Sequence, residues 1–322
     1  MGKALSLLVV LASLDAATTA QDVDSPLGRL VDIGGRRLHL HCTGSGSPTV
    51  VIEAGASSFS IDFSLVQPGV STTTRVCSYD RAGIGWSDAR PDVETPMRVI
   101  RDLRTVLDTT GEKGPFVMVG ASRGGVFVRL FQAEYPADVS GMVLIDPTAE
   151  DRLYVSFQGT VAALTSLTPD QHRSTQPSPS AVIPIPTRQP QTGAPFDRLP
   201  KPLYETRVAL DRKLIASMPA TVSGQVVAES SSGDYEMLSR LSAARRAKPT
   251  SLGDIPVIVL SRGLNASPEQ HAAHAEISRM SRNSRHLVVP DSYHEIHLSH
   301  PDVVVAAIRD VVAAVRTKAP LR

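Results

Sequence analysis

Pro115-Phe116-Val117-Met118-Val119-Gly120-Ala121-Ser122-Arg123-Gly124-Gly125 is the stretch on which the reading of this chain turns. An apolar run rich in strand formers leads straight into Gly-Ala-Ser-Arg-Gly, and then Val126, Val128, Leu130 and Phe131 recur at helical spacing. The pattern is strand, very tight turn, helix, with a serine at the apex. Glycines two before and two after the serine let backbone pass closely while the serine itself is held in a strained conformation. Such a turn lifts Oγ above the sheet edge and sets it at a helix N-terminus, where free N–H groups favour developing negative charge. Gly-x-Ser-x-Gly alone arises by chance; between a buried strand and a helix it marks a nucleophile.

Working outward, the rest of the chain has the rhythm that such a turn requires. Residues 29–33 and 37–42 around Gly34-Gly35 read as a hairpin, and 49–53 and 74–79 as short buried strands. Met97, Val99, Ile100, Leu103 and Leu107 give residues 95–110 one apolar helical face. After the central strand, turn and helix, residues 139–145 form another buried strand. The alternation resumes late, with strands at 255–260 and 286–290 and helices at 268–280 and 301–315. Strands alternating with helices predict an α/β fold, a mostly parallel, doubly wound eight-stranded sheet covered on both faces. Residues 151–251 break the rhythm. They hold a Ser/Thr/Pro-rich loop at 174–202 and helix-like pieces at 203–218 and 235–247, which predicts a helical cap inserted after the sixth strand. The expected division is a signal peptide over 1–20, core over 27–150, cap over 151–251 and core again over 252–318.

Composition narrows the function. The 322 residues suffice for a full α/β core and a sub-domain. A net charge of +1 and 4% aromatics argue against nucleic acid as a partner and against an acidic membrane surface. Lys3, the apolar run 4–14 and the small residues Thr18-Thr19-Ala20 read as a secretory signal cut after Ala20, hence an exported protein, periplasmic or secreted. That run is too short for a stable membrane anchor. Cys42 and Cys77 are either a disulfide or two buried small hydrophobes.

A serine hydroxyl needs a base to take its proton. His294, in the loop after the last strand and before the terminal helix, is the candidate. His297 and His300 are read as surface or capping residues, and His39 and His41 as strand residues. His294-Glu295-Ile296-His297 lacks the spacing of a helical zinc pair, so neither metal nor cofactor is expected.

With these pieces in hand, the chain resembles the α/β-hydrolase superfamily over residues 30–315. The resemblance rests on Asp80-Arg81-Ala82-Gly83-Ile84-Gly85-Trp86-Ser87 after the fourth strand, the turn at Ser122, Leu144-Ile145-Asp146-Pro147, and His294 followed by Pro301. It implies a catalytic acid, and in most of the superfamily the acid follows the seventh strand. Here Leu264-Asn265-Ala266-Ser267-Pro268 holds no carboxylate before Glu269. Asp146, at the end of the sixth strand and 24 residues after Ser122, matches the placement in some superfamily members and is the expected acid. Glu269 is the alternative, with Glu150 third. The resemblance puts the oxyanion donors at the backbone N–H groups of Arg123 and, after Gly55, Ala56. Phe59, Leu153, Tyr154 and Phe157 are candidate lining of a pocket for a moderately apolar small-molecule ester or lactone.

The expected reaction is therefore acyl transfer to water: a serine esterase or lactonase with Ser122 as nucleophile, His294 as base and Asp146 as orienting acid. A proline-iminopeptidase-like peptidase would need an acidic pair in the cap, and a cofactor-free haloperoxidase-like enzyme would use the same three residues. A non-catalytic binding protein on the same fold is the reading outside enzymology. The oligomeric state is not legible.

Overall fold

The computed structural model describes residues 25–151, 153–155 and 161–321, so the expected signal peptide over 1–20 lies outside the described residues. In chain order the core begins with β1 (Arg29–Asp32), β2 (Arg37–Thr43), β3 (Val50–Glu53), α1 (Gln67–Ser71) and β4 (Val76–Tyr79). Next come α2 (Pro96–Thr109), β5 (Phe116–Ala121), α3 (Gly124–Glu134) and β6 (Val139–Ile145). The inserted segment carries β7 (Leu153–Val155), β8 (Val161–Ala163), α4 (Pro169–Ser174), β9 (Val182–Pro184), α5 (Lys201–Ser217), β10 (Thr221–Ser223) and α6 (Gly224–Ala247). The core closes with β11 (Val257–Arg262), α7 (Pro268–Ser278), β12 (Ser284–Val289), α8 (Ile296–Ser299) and α9 (Pro301–Thr317).

Eight strands form one sheet in the order β1-β2-β4-β3-β5-β6-β11-β12. Only β2 runs against its neighbours; the pairings from β4 through β12 are all parallel. The period of two in each strand decides which face a side chain serves. Phe116 and Met118 pack with Leu103, Phe127 and Phe131 on the face covered by α2 and α3. Val117 and Val119 pack with Val304, Ile308, Val311 and Val312 of α9 on the other. With both faces buried, the central strands read as continuous apolar runs.

Local signals set the element ends. Gly34 and Gly35, at φ 97° and 90°, supply the two positive-φ positions of the β1–β2 turn, and Asp32 Oδ1 accepts from Gly34 N at 2.8 Å. Pro96 and Pro301 stand in the first turns of α2 and α9, where a missing N–H costs nothing. Cys42 and Cys77, directly opposite on β2 and β4, form a disulfide that closes a separation of 35 residues.

The insertion is not purely helical. Alongside α4, α5 and α6 it holds two two-stranded ribbons, β7–β8 and β9–β10, and β9 lies within the stretch expected to be loop. With three residues and an exposed–half-buried–exposed pattern, β9 is too short to show alternation. Helix α6 begins at Gly224, eleven residues before its expected start. Its first half, Ala-Glu-Ser-Ser-Ser-Gly, has weak helix propensity, but Ser223 Oγ accepts from Val226 N at 3.3 Å to cap it. Further along, Met237, Leu238 and Leu241 bury against the core beside α2 and α3. Tertiary packing overrides propensity there. Arg207 of α5 anchors the other side: fully buried, it donates to Asp62 at 3.1 Å and Asp211 at 3.3 Å, over the ring of Phe196 at 4.0 Å.

Candidate active site

The order of the sheet reverses direction at β3 and β5, and the C-terminal ends of strands at such a point face a crevice. Ser122 follows β5 there. Its φ is 52°, a left-handed value that a side-chain-bearing residue adopts only when the surroundings insist. They do. Ser122 N donates to Ile145 O at 2.9 Å, and Ser122 O accepts from Gly125 N and Thr148 N, both at 3.0 Å. The glycines make the turn possible: a Cβ on Gly120 would sit 2.6 Å from Gly124 O, and one on Gly124 would sit 2.3 Å from Glu53 O.

Asp146 follows β6 in a second left-handed conformation, φ 42°, tied by its N–H to Leu260 O at 2.7 Å. Its carboxylate is buried and surrounded by donors. His294 Nδ1 lies 2.5 Å from Oδ2, and Oδ1 accepts from Arg262 N at 3.1 Å. Gln270 Nε2 reaches both oxygens at 3.2 and 3.3 Å, and the Arg262 guanidinium lies 3.5 Å from Oδ2. Burial alone would push the carboxyl up, but the His294 and Arg262 hydrogen bonds and the nearby His294 and His274 charges outweigh it. Asp146 is therefore held below the ordinary carboxylate range, an anion aimed at one imidazole nitrogen. The other ring nitrogen, Nε2, is not engaged by Asp146. Among the described residues no hydrogen bond joins Ser122 Oγ to His294; such bonds are often long before substrate binds and tighten in the complex.

Ala56 and Arg123 flank Ser122 on the wall of a cavity of about 620 Å³. Among the described residues neither backbone N–H is spent on another backbone carbonyl. The remaining walls are Val126 and Thr148 of the core, Leu164, and Val226, Val227, Ser230, Ser231, Asp234, Met237 and Leu238 of α6. The lining is chiefly apolar, with hydroxyls and one ion pair set into it, as suits a small organic ligand. That ion pair joins Arg123 to Asp234 at 2.7 Å, so the residue next to Ser122 is tied to the insertion.

A model of the alpha/beta hydrolase family matches residues 38–307. The chain belongs to this family. The uncharacterized protein YqjL of Bacillus subtilis (strain 168) is 25% identical over 87% of this chain and 90% of its own length. Among solved structures, a thermophilic esterase from Thermogutta terrifontis superposes with a TM-score of 0.58 at 20% identity, over 87% of this chain and 94% of that one. The enol-lactonase from Burkholderia xenovorans LB400 superposes with a TM-score of 0.57 at 17% identity, over 88% of this chain and all of that one. At these identities the structural likeness concerns the fold.

Within this alpha/beta hydrolase fold, some expected side chains lie elsewhere. Phe59 does not line the cavity: it is fully buried among Ile61, Trp86 and Leu210, with the Arg207 guanidinium over its ring. Leu153 and Tyr154 belong to β7, and Phe157 lies outside the described residues. Glu269 is exposed in the first turn of α7, whereas its neighbour Gln270 faces Asp146. Glu150 is buried against the guanidinium of Arg129. His297 is not a surface residue; it is 3% exposed and stacked on Phe63, because the α8 turn points it inward. His300 occupies the N-cap position of α9, but its side chain makes no capping hydrogen bond. His39 is a buried strand residue held by Asp80 at 2.9 Å.

Sequence reasoning missed Gln270 and Arg262 as partners of Asp146, and Asp234 and α6 as cavity wall. Apolar spacing at Met237, Leu238 and Leu241 was the available signal for α6; for Gln270, only the phase of α7 separates it from Glu269. Among the described residues one cluster has metal-ligand proximity, Cys42, Cys77 and Glu112 within 4.8 Å. Its sulfurs are bonded to each other and Glu112 is paired with Arg75 at 2.6 Å, so its donors are already committed. No described helix is long and apolar enough to cross a membrane.

Proposed function

We propose that this protein is a serine hydrolase that cleaves a carboxylic ester or lactone through an acyl-enzyme at Ser122. The observation that carries the reading is the 2.5 Å contact of His294 with the ionised Asp146, on the sheet edge that also bears the strained Ser122 turn. Ser122 Oγ attacks the substrate carbonyl carbon while His294 Nε2 takes its proton. Asp146 holds the imidazole in the tautomer that leaves Nε2 unprotonated and supports the imidazolium that forms. The tetrahedral oxyanion is received by the N–H groups of Ala56 and Arg123 at the start of α3. His294 then protonates the departing alkoxide, and the same steps with water as nucleophile release the acid.

The cavity supports a moderately apolar acyl or alcohol group, with the insertion as its cap. It offers one carboxylate, Asp234, already neutralised by Arg123. That does not favour an aminopeptidase, which would hold a free ammonium. We also infer export. The apolar run after Lys3 supports it, as does the Cys42–Cys77 bond, a feature of oxidising compartments; a mature N-terminus at Gln21 is the expected result of sequencing, and an N-terminus at Met1 would refute cleavage.

The direct assay is hydrolysis of p-nitrophenyl acetate and butyrate by wild type and Ser122→Ala. Turnover lost in the variant is expected; equal turnover in the two would refute the serine mechanism.

A further inference from the structure

Arg81, in the loop after β4, takes no part in the steps above, yet it is buried behind the loop that brings Ala56 to the cavity wall. Its side chain is only 4% exposed. Nη1 donates to Glu53 Oε1 at 2.7 Å and to Ala54 O at 2.8 Å, and Nη2 donates to Gly55 O at 2.7 Å. Glu53 also accepts from the Tyr79 hydroxyl, and the guanidinium lies 5.5 Å from the ring centroid of Phe127 on α3. One planar fork thus gathers the end of β3, two successive carbonyls of the loop that follows, and the helix behind the nucleophile.

The two carbonyls matter because of what lies across the peptide. The Gly55–Ala56 bond is trans, so its C=O and N–H point in opposite directions. Holding the Gly55 carbonyl on Arg81 turns the Ala56 N–H away from the guanidinium. Ala56 lines the cavity beside Ser122, and a Cβ on Gly55 would stand 3.3 Å from Ser122 Cβ, so this peptide runs alongside the nucleophile. The other donor to Gly55 O, Ser58 N, is longer at 3.3 Å. We propose that Arg81 is a positioning residue for the reaction, fixing the plane of the Gly55–Ala56 peptide so that its N–H meets the oxyanion. The proposal rests on the acyl-transfer reading above. A role limited to neutralising Glu53 would need one contact rather than a fork across consecutive carbonyls. Lysine, whose three N–H donors all sit on one nitrogen, could keep the Glu53 pair but could not span the three acceptors that the two nitrogens of the fork reach.

The test uses the purified full chain, p-nitrophenyl butyrate and its thiono analogue, in which the carbonyl oxygen is replaced by sulfur. Sulfur is a weak hydrogen-bond acceptor, so a functional oxyanion site favours the oxoester, and a misaligned one loses that preference. Arg81→Lys is expected to lower kcat on the oxoester about 10- to 100-fold with KM within about twofold, and to lower the oxo-to-thiono ratio of kcat/KM about tenfold. Ile308→Val, a core change on the opposite face of the sheet, is expected to leave the ratio unaltered. If Arg81→Lys does not fold, Glu53→Gln, which removes the counter-charge that holds the guanidinium, is read for the same fall. An unchanged ratio in a folded variant, whatever the loss of rate, would overturn the positioning role while leaving the serine mechanism standing. Equal turnover by wild type and Ser122→Ala would overturn both.

Discussion

His297 makes a quantitative prediction about acid stability. Its imidazole is buried, stacked on Phe63 with ring centroids 4.3 Å apart, and neither ring nitrogen has a hydrogen-bond partner among the described residues. Burial first, then the neighbouring His294 and Arg207 charges, lower its pKa from 6.5 to about 3. The folded protein therefore carries His297 neutral while the unfolded chain protonates it as pH falls through 6.5. Stability is unaffected above that pH and is lost progressively below it until the folded form also titrates near 3. At about pH 4.5 the loss is two pKa units, about 3 kcal/mol. His297→Phe keeps a ring against Phe63 and removes both the titration and two unsatisfied buried nitrogens, so at neutral pH it is expected to be neutral or stabilising by about 1–3 kcal/mol. The assay is urea unfolding of wild type and variant at intervals from about pH 7.5 to 4.5, with ΔG taken from each midpoint and slope. The two should diverge by about 3 kcal/mol more at the acid end than at the neutral end. Parallel curves would refute the reasoning. The effect also touches function, because α8 follows directly on the loop bearing His294.

Three further outcomes follow from the site and the sheet. Asp146→Asn is expected to lower kcat about 10⁴-fold with little change in KM, and Glu269→Gln to leave both near wild type; the reverse pattern in steady-state kinetics would move the acid to α7. Asp234→Ala frees the Arg123 guanidinium inside the cavity, so kcat/KM for an ester with a terminal carboxylate should rise relative to the neutral butyrate ester, while stability changes by less than about 1 kcal/mol because the pair is half-exposed; an unchanged substrate ratio would contradict the placement of Arg123. Replacing Cys42 and Cys77 with alanine opens a loop closed across 35 residues and should cost about 2–4 kcal/mol in urea unfolding; no loss, with free thiols detected in the wild type by mass spectrometry, would exclude the bond.

The strand pattern was legible because both faces of the central sheet are buried: Val139–Ile145 could be read to the residue, and Gly34-Gly35 announced its hairpin. Ser122, Asp146 and His294 stood out for a related reason. Ser122 and Asp146 directly follow β5 and β6 and His294 lies in the loop after β12, whereas choosing Asp146 as the acid rested on the family resemblance. What escaped was whatever depends on long-range packing. The serine-rich first half of α6 is held between its cap at Ser223 and the buried Met237, Leu238 and Leu241 of the second half, which pack beside α2 and α3. Phe59 and His297 carry no local mark that separates a core ring from a pocket wall or a surface cap. Gln270 was hidden for a subtler reason: an amide can satisfy a buried carboxylate as a donor, while a search for acids passes over it. The seventh strand's end, lacking the usual acid, instead supplies the Arg262 N–H to the carboxylate of the sixth.

The most direct test of the central claim is covalent. Diethyl p-nitrophenyl phosphate, which transfers a phosphoryl group irreversibly to an activated serine with loss of p-nitrophenolate, is incubated with the intact protein, and the digest is read by mass spectrometry. One diethylphosphoryl group per chain, on the peptide containing Ser122 and absent in His294→Ala, is the predicted result. Ester turnover that persists with Ser122 unmodified, or a label on any other residue that abolishes turnover, would contradict the account.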